Sequence, residues 1–160
     1  MDVAGDESIQ LSFPLPRSLD TRIHLRLTIK SKAILLFLTT VSMDDVGKPV
    51  PMGSFVYALP DRYNPNQPLS TTIYSVEATL EFTARLAKLL AKKTQMPVYV
   101  GNSISLANTG LGGTMEEEME TFKKVVEVTL DKLKDVGMPP TSLTNGRDVR
   151  QHRGRNARNA

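Results

Sequence analysis

Residues 22–30, Arg-Ile-His-Leu-Arg-Leu-Thr-Ile-Lys, alternate without interruption. Ile23, Leu25, Leu27 and Ile29 fall on one side, and Arg22, His24, Arg26, Thr28 and Lys30 on the other. A period of two predicts a strand with one buried and one wet face. Upstream, Ile9, Leu11, Phe13 and Leu15 alternate in the same way, and Pro14 and Pro16 place that strand at a sheet edge or mark its end. Downstream, Ser31-Lys32 leave room for a tight hairpin before residues 33–40, AILLFLTT. Its unbroken apolar run, Ile34 to Leu38, predicts a strand covered on both faces. SFVYAL (54–59) reads the same way. LSTTIY (69–74) is β-branched and fits a further strand or the entry to a helix.

From Val76 to about Thr94 the period changes to that of a helix. Val76, Leu80, Ala84 and Ala87 form one row, flanked by Leu86, Leu89 and Leu90. Ser75 is the expected N-cap. Glu77 and Glu81 come early and Lys88, Lys92 and Lys93 late, as the helix dipole favours. Glu81 and Arg85 are spaced to pair at i,i+4. Pro97 ends the helix, and Val98-Tyr99-Val100 predict a short buried strand. A second helix runs from Met115 to about Val136, opened by a Thr114/Glu117 capping box and closed by Gly137 and Pro139-Pro140. Its expected apolar stripe is Met119, Phe122, Val125, Val126, Thr129, Leu130 and Leu133.

This order of elements predicts an α+β domain over residues 8–136: a mainly antiparallel β-sheet of about six strands with two α-helices on one face. Residues 1–7 are expected to be a flexible N-terminus and residues 137–160 a disordered basic tail. The tail changes how the net charge of +3 is read. Residues 147–160 hold five arginines against one aspartate, while the other 146 residues hold 15 basic and 16 acidic groups. The folded part is therefore near neutral, and nucleic acid is not its expected partner. The absence of cysteine excludes disulfides, thiol nucleophiles and cysteine metal sites, and fits a reducing interior. The longest apolar run, 33–38, is of strand length, so no membrane span is expected.

Candidate chemistry is sparse. The two histidines, His24 and His152, lie on a polar strand face and in the tail, with no metal spacing around them. NTGLGGT (108–114) precedes a helix, as a phosphate cradle does. It lacks the Gly-Lys-Ser/Thr of a P-loop, and Glu116-Glu117-Glu118 follow it at once. No catalytic residue, cofactor or metal is expected. What remains is geometric: strands 33–40, 54–59 and 98–100 are apolar on both faces, and two helices cover one face of such a sheet. The other face requires either a different arrangement of the fold or a second polypeptide, and the second of these predicts dimerisation through the sheet.

One stretch carries a resemblance. ARLAKLLAKKTQMPVYVGNSI (84–104) resembles the helix-to-strand junction of the proteasome assembly chaperone 4 family. The matching features are Leu86 to Thr94, Val98-Tyr99-Val100, the loop through Gly113, and Glu117-Glu118-Met119. KAILLFLTT and GSFVYALPDRY resemble the family's paired strands, and the likeness extends over residues 8–135. Loops 44–52 and 60–70 look like those of a fungal member, while the arginine tail departs from the pattern.

The resemblance implies a non-enzymatic chaperone of 20S proteasome assembly, cytoplasmic with access to the nucleus. It implies pairing with a sister chaperone, the third of the set, and binding of α-subunits, chiefly the fifth, to guide α-ring formation. For the dimer interface the expected residues are Leu36, Leu38, Val56, Val98 and Val100, with the chain's own core as the competing reading for each. For the α-subunit they are Arg26, Lys92 and Lys93, against a solvated helix end for the lysines. Two alternatives stay open: the sister chaperone itself or another small dimeric α+β scaffold, and an RNA-binding protein acting through the tail.

Overall fold

The computed structural model describes residues 7–137. The expectations placed on residues 1–6 and 138–160 lie outside the described residues. Six strands and two helices follow in the order β1 (Glu7–Pro14), β2 (Thr21–Ile29), β3 (Ile34–Ser42), β4 (Ser54–Leu59), β5 (Leu69–Tyr74), α1 (Glu77–Thr94), β6 (Val98–Ser103) and α2 (Met115–Asp135). They build one α+β unit on a six-stranded mixed sheet, ordered β1-β2-β3-β6-β4-β5. All neighbours are antiparallel except β3 and β6, which run parallel.

The faultless alternation of β2 is what it looked like. Ile23, Leu25, Leu27 and Ile29 are buried, while Arg22, His24 and Arg26 are exposed. In register, Leu25 faces Leu11 and Leu38, and Leu27 faces Ile9 and Leu36, so one apolar side runs across three strands. The β2–β3 hairpin closes with Lys30 N–H donating to the Ala33 carbonyl at 2.9 Å. β6 is longer than Val98-Tyr99-Val100, because Gly101, Asn102 and Ser103 continue its pairing with β3 and β4.

Helix α1 returns the chain from the β5 edge to the middle of the sheet and packs against β4 and β6. Phe82, Leu86 and Leu90 join the core that Val56, Ala58, Val98 and Val100 supply from below. Its start corrects one expectation. The N-cap is Val76, which makes no side-chain cap bond, and not Ser75. The capping hydroxyl comes instead from the buried Ser54 on β4: Val76 N–H donates to Ser54 Oγ at 2.9 Å, and Ser54 Oγ lies 2.9 Å from Thr79 Oγ1. A hydroxyl held rigid in the sheet thus satisfies helix-end groups that a local side chain would otherwise serve. At the other end, Gln95 takes a left-handed conformation and donates to the Ala91 carbonyl.

Helix α2 opens with the expected capping box of Thr114 and Glu117. Its buried row is Glu117, Thr121, Val125, Thr129 and Leu133, spaced four apart, with Phe122, Val126 and Leu130 packed at its flanks. Met119, expected in the stripe, is half exposed and faces away. Arg85 does not turn to Glu81. It stacks over the Phe122 ring at 5.1 Å, and Phe122 in turn meets Phe82 edge-on at 5.2 Å. The two helices are joined at this point. The turn after β1 is tied to α2 by an Arg17–Glu120 ion pair of 2.7 Å.

Candidate protein interface

Both helices lie on the side of the sheet to which Ile23, Leu36, Val56 and Val100 point. Among the described residues no helix covers the other side. Strand registry lays its residues out in rows. One row crosses Leu35, Tyr99 and Tyr57, and the next crosses Arg26, Phe37, Gly101 and Phe55. Four of these side chains are aromatic and stack in series. Phe37 and Phe55 have centroids 6.0 Å apart, Phe55 and Tyr99 6.0 Å, and Tyr99 and Tyr57 4.4 Å, with their planes within 28° of parallel. The glycine at 101 allows this: a Cβ there would lie 2.7 Å from the Phe37 ring. Each offset stack contributes about 0.5–1.5 kcal/mol, yet Phe37 stays 43% exposed. The apolar strip continues to the edge, where Leu59 pairs with Leu69.

The flank formed by β1 and β2 is polar and basic. Arg22 donates to Ser12 Oγ and to the Ser12 carbonyl at 3.2 and 3.1 Å. His24 faces Ser12 across the β1–β2 pairing, but the serine hydroxyl accepts from Arg22 and no hydrogen bond joins it to His24, so the two form no nucleophile–base pair. Between flank and aromatic strip runs a groove of about 560 Å³, walled by Val50, Pro51 and Met52 and floored by Phe37 and Gly101. Val50 and Met52 are exposed. A contiguous apolar surface rimmed by polar residues has the composition of a protein–protein contact, with aromatics central and cations at the edge. Burial first, and then the neighbouring Tyr99 hydroxyl, push the Tyr57 hydroxyl above its ordinary value.

The five residues expected at a dimer interface are elsewhere. Leu36, Leu38, Val56, Val98 and Val100 all point to the helix-covered side and are at most 3% exposed. They are the chain's own core, and no partner reaches them without removing a helix. The same strands turn Leu35, Phe37, Phe55, Tyr57 and Tyr99 to the open side. Arg26 does lie on that open face. Lys92 and Lys93 lie at the end of α1, in the layer beyond the sheet, so the three cations do not share one surface.

The glycine-rich loop before α2 also has its answer. It is an anion cradle, and the anion is the chain's own. The Glu117 carboxylate accepts hydrogen bonds from the backbone N–H groups of Leu111, Gly113 and Thr114, each at 3.1 Å. Gly112 and Gly113 adopt positive φ to aim them. Burial alone pushes the Glu117 carboxyl up, but the amides of Thr114, Leu111 and Gly113 and the Thr109 hydroxyl outweigh it, bringing its pKa down to about 2. A folded-state pKa below the ordinary 4.5 contributes stability that is complete above pH 4.5 and is lost as pH falls towards 2. Glu117→Gln is therefore expected to lower Tm at pH 7 by about 5 °C or more, with the gap to wild type closing in thermal melts taken below pH 3. A gap that stays constant with pH would remove the carboxylate from this role.

The model of the family described as proteasome assembly chaperone 4 matches residues 22–104, more than half of the chain. Among solved structures, nine chains match. One comes from a crystal structure described as a novel chaperone complex for yeast 20S proteasome assembly. It aligns with a TM-score of 0.57 at 12% identity, covering 81% of this chain and 96% of its own length. At that identity the likeness shows the fold. No curated protein matches the chain.

Proposed function

The chain belongs to the proteasome assembly chaperone 4 family, and from that premise we propose that it is a non-enzymatic chaperone of 20S proteasome assembly. It pairs with a sister chaperone through the open face of its sheet, and the pair holds an α-subunit during formation of the α-ring. The observation that carries the pairing is the stacked series Phe37, Phe55, Tyr99 and Tyr57 on an uncovered face. Closing a second sheet over it makes a sandwich with a core about 10 Å thick.

The mechanism is templating. A rigid pair lowers the entropy cost of placing one subunit and blocks wrong neighbours. Release follows when a later subunit competes for the same surface, with no nucleotide required. The test is a native pull-down of the tagged full chain from its own cells, read by mass spectrometry. A second small chaperone and free α-subunits, without the full set of β-subunits, is the expected result. RNA-associated proteins in their place would overturn it.

A further inference from the structure

A second concave surface lies on the opposite side of the molecule. It runs between the loop at residues 60–68 and the two helices, encloses about 450 Å³, and is lined by Asn66, Gln67, Arg85, Lys88, Lys92 and the apolar pair Leu89 and Phe122, with Pro68 at its end. Arg85, Lys88 and Lys92 stand at i, i+3 and i+7 of α1, so one face of the helix presents all three to the groove. No carboxylate among the described residues lines it. Lys92 is half-buried there, and so are Leu89 and Phe122. The helical layer is therefore not a uniformly solvated surface: it holds a row of cations over an apolar floor, with two side-chain amides opposite.

We propose that this groove receives an acidic segment of the α-subunit client, anchored by one apolar side chain. The inference rests on the chaperone reading above and adds the client-side surface to it. Charge complementarity selects the occupant: three cations with no anion among them attract carboxylates. The floor of Leu89 and the Phe122 ring capped by Arg85 accepts an aliphatic anchor, and Asn66 and Gln67 offer donors and acceptors to an extended backbone. A nucleic acid fits less well. Among the described residues Phe122 is the one ring in the groove, and Arg85 already caps it, so the groove lacks the open aromatic platform on which bases stack. The groove also lies across the sheet from the aromatic face, so client and sister chaperone occupy different sides of one chain.

The test uses the tagged full chain carrying Lys88→Glu and Lys92→Glu, recovered from its own cells beside wild type and a Lys88→Arg/Lys92→Arg control. Recovery of α-subunits is expected to fall by about tenfold or more in the charge-reversed variant, to stay near wild type in the arginine control, and to weaken with added salt. Recovery of the sister chaperone stays unchanged in all three, which reports an intact fold. Equal α-subunit recovery from wild type and the charge-reversed variant overturns the groove while leaving the chaperone reading standing. Absence of α-subunits from the wild-type sample overturns both. Recovery abolished by nuclease treatment overturns the groove's acidic-peptide assignment in favour of nucleic acid.

Discussion

Tyr57→Asp is expected to weaken pairing with the proposed sister chaperone severely while leaving the single chain folded. Tyr57 sits at one end of the stacked series, 4.4 Å from Tyr99, and is half-buried. In the unpaired chain the new carboxylate remains hydrated, so the loss is about 1 kcal/mol of aromatic stacking. In the proposed pair the carboxylate is carried out of water into a contact that is aromatic on this chain's side, which costs its hydration. Loss of a central aromatic contact typically costs 2–4 kcal/mol, and the stranded charge adds to that. Together these weaken affinity by roughly a thousandfold, or about 4 kcal/mol. Titration calorimetry with separately purified sister chaperone measures the affinity, and circular dichroism with a thermal melt checks the fold. Unchanged affinity in a folded variant would move the interface off this face.

Leu36→Ala acts on the other side of the same sheet and is expected to do the reverse. Leu36 is fully buried between Leu27 and Val100, beneath the helical layer. Truncating a buried leucine removes its transfer free energy and leaves a cavity, at a cost of about 2.7–5.0 kcal/mol. That is a large share of the total stability of a domain of this size. Because the loss belongs to the single chain, the urea midpoint falls by the same amount at low and high protein concentration. A variant with an unchanged midpoint and weakened pairing would return Leu36 to an interface.

These two substitutions lie on β4 and β3, the strands to either side of β6, at positions that the sequence does not separate. Alternation was legible in β2 because one of its faces is charged. In β3, β4 and β6 both faces are apolar, so the phase of the alternation tells which residues travel together but not which set meets the helices. Leu36, Leu38, Val56, Val98 and Val100 do form one face, and it is the covered one. The distinguishing signal was chemical: Phe37, Phe55, Tyr57 and Tyr99 fall on the alternate phase, and tyrosine hydroxyls favour a surface that is apolar yet wet at one edge. The helices were legible from their period and their caps wherever the cap was local, as with Thr114 and Glu117. The start of α1 was not, because Ser54 reaches it from 22 positions away. The lysines of the groove were visible as a charge row, but its apolar floor needs Phe122 from the other helix.

Strand order was the part least accessible from sequence, and it has a consequence for how the molecule comes into being. The strand made last, β6, is the one that lies between β3 and β4. Until it arrives, β1–β3 and β4–β5 are two separate ribbons with no backbone pairing between them. Joining them requires groups such as Thr39 and Ser103, 64 positions apart, to find each other. Closure over such a separation is slow relative to hairpin formation, and in the interval β3 and β4 each present a bare, uncharged edge. On the ribosome the sheet cannot become whole before residue 103 has emerged. The nascent chain thus passes through a stage in which its own two halves are its most urgent binding partners.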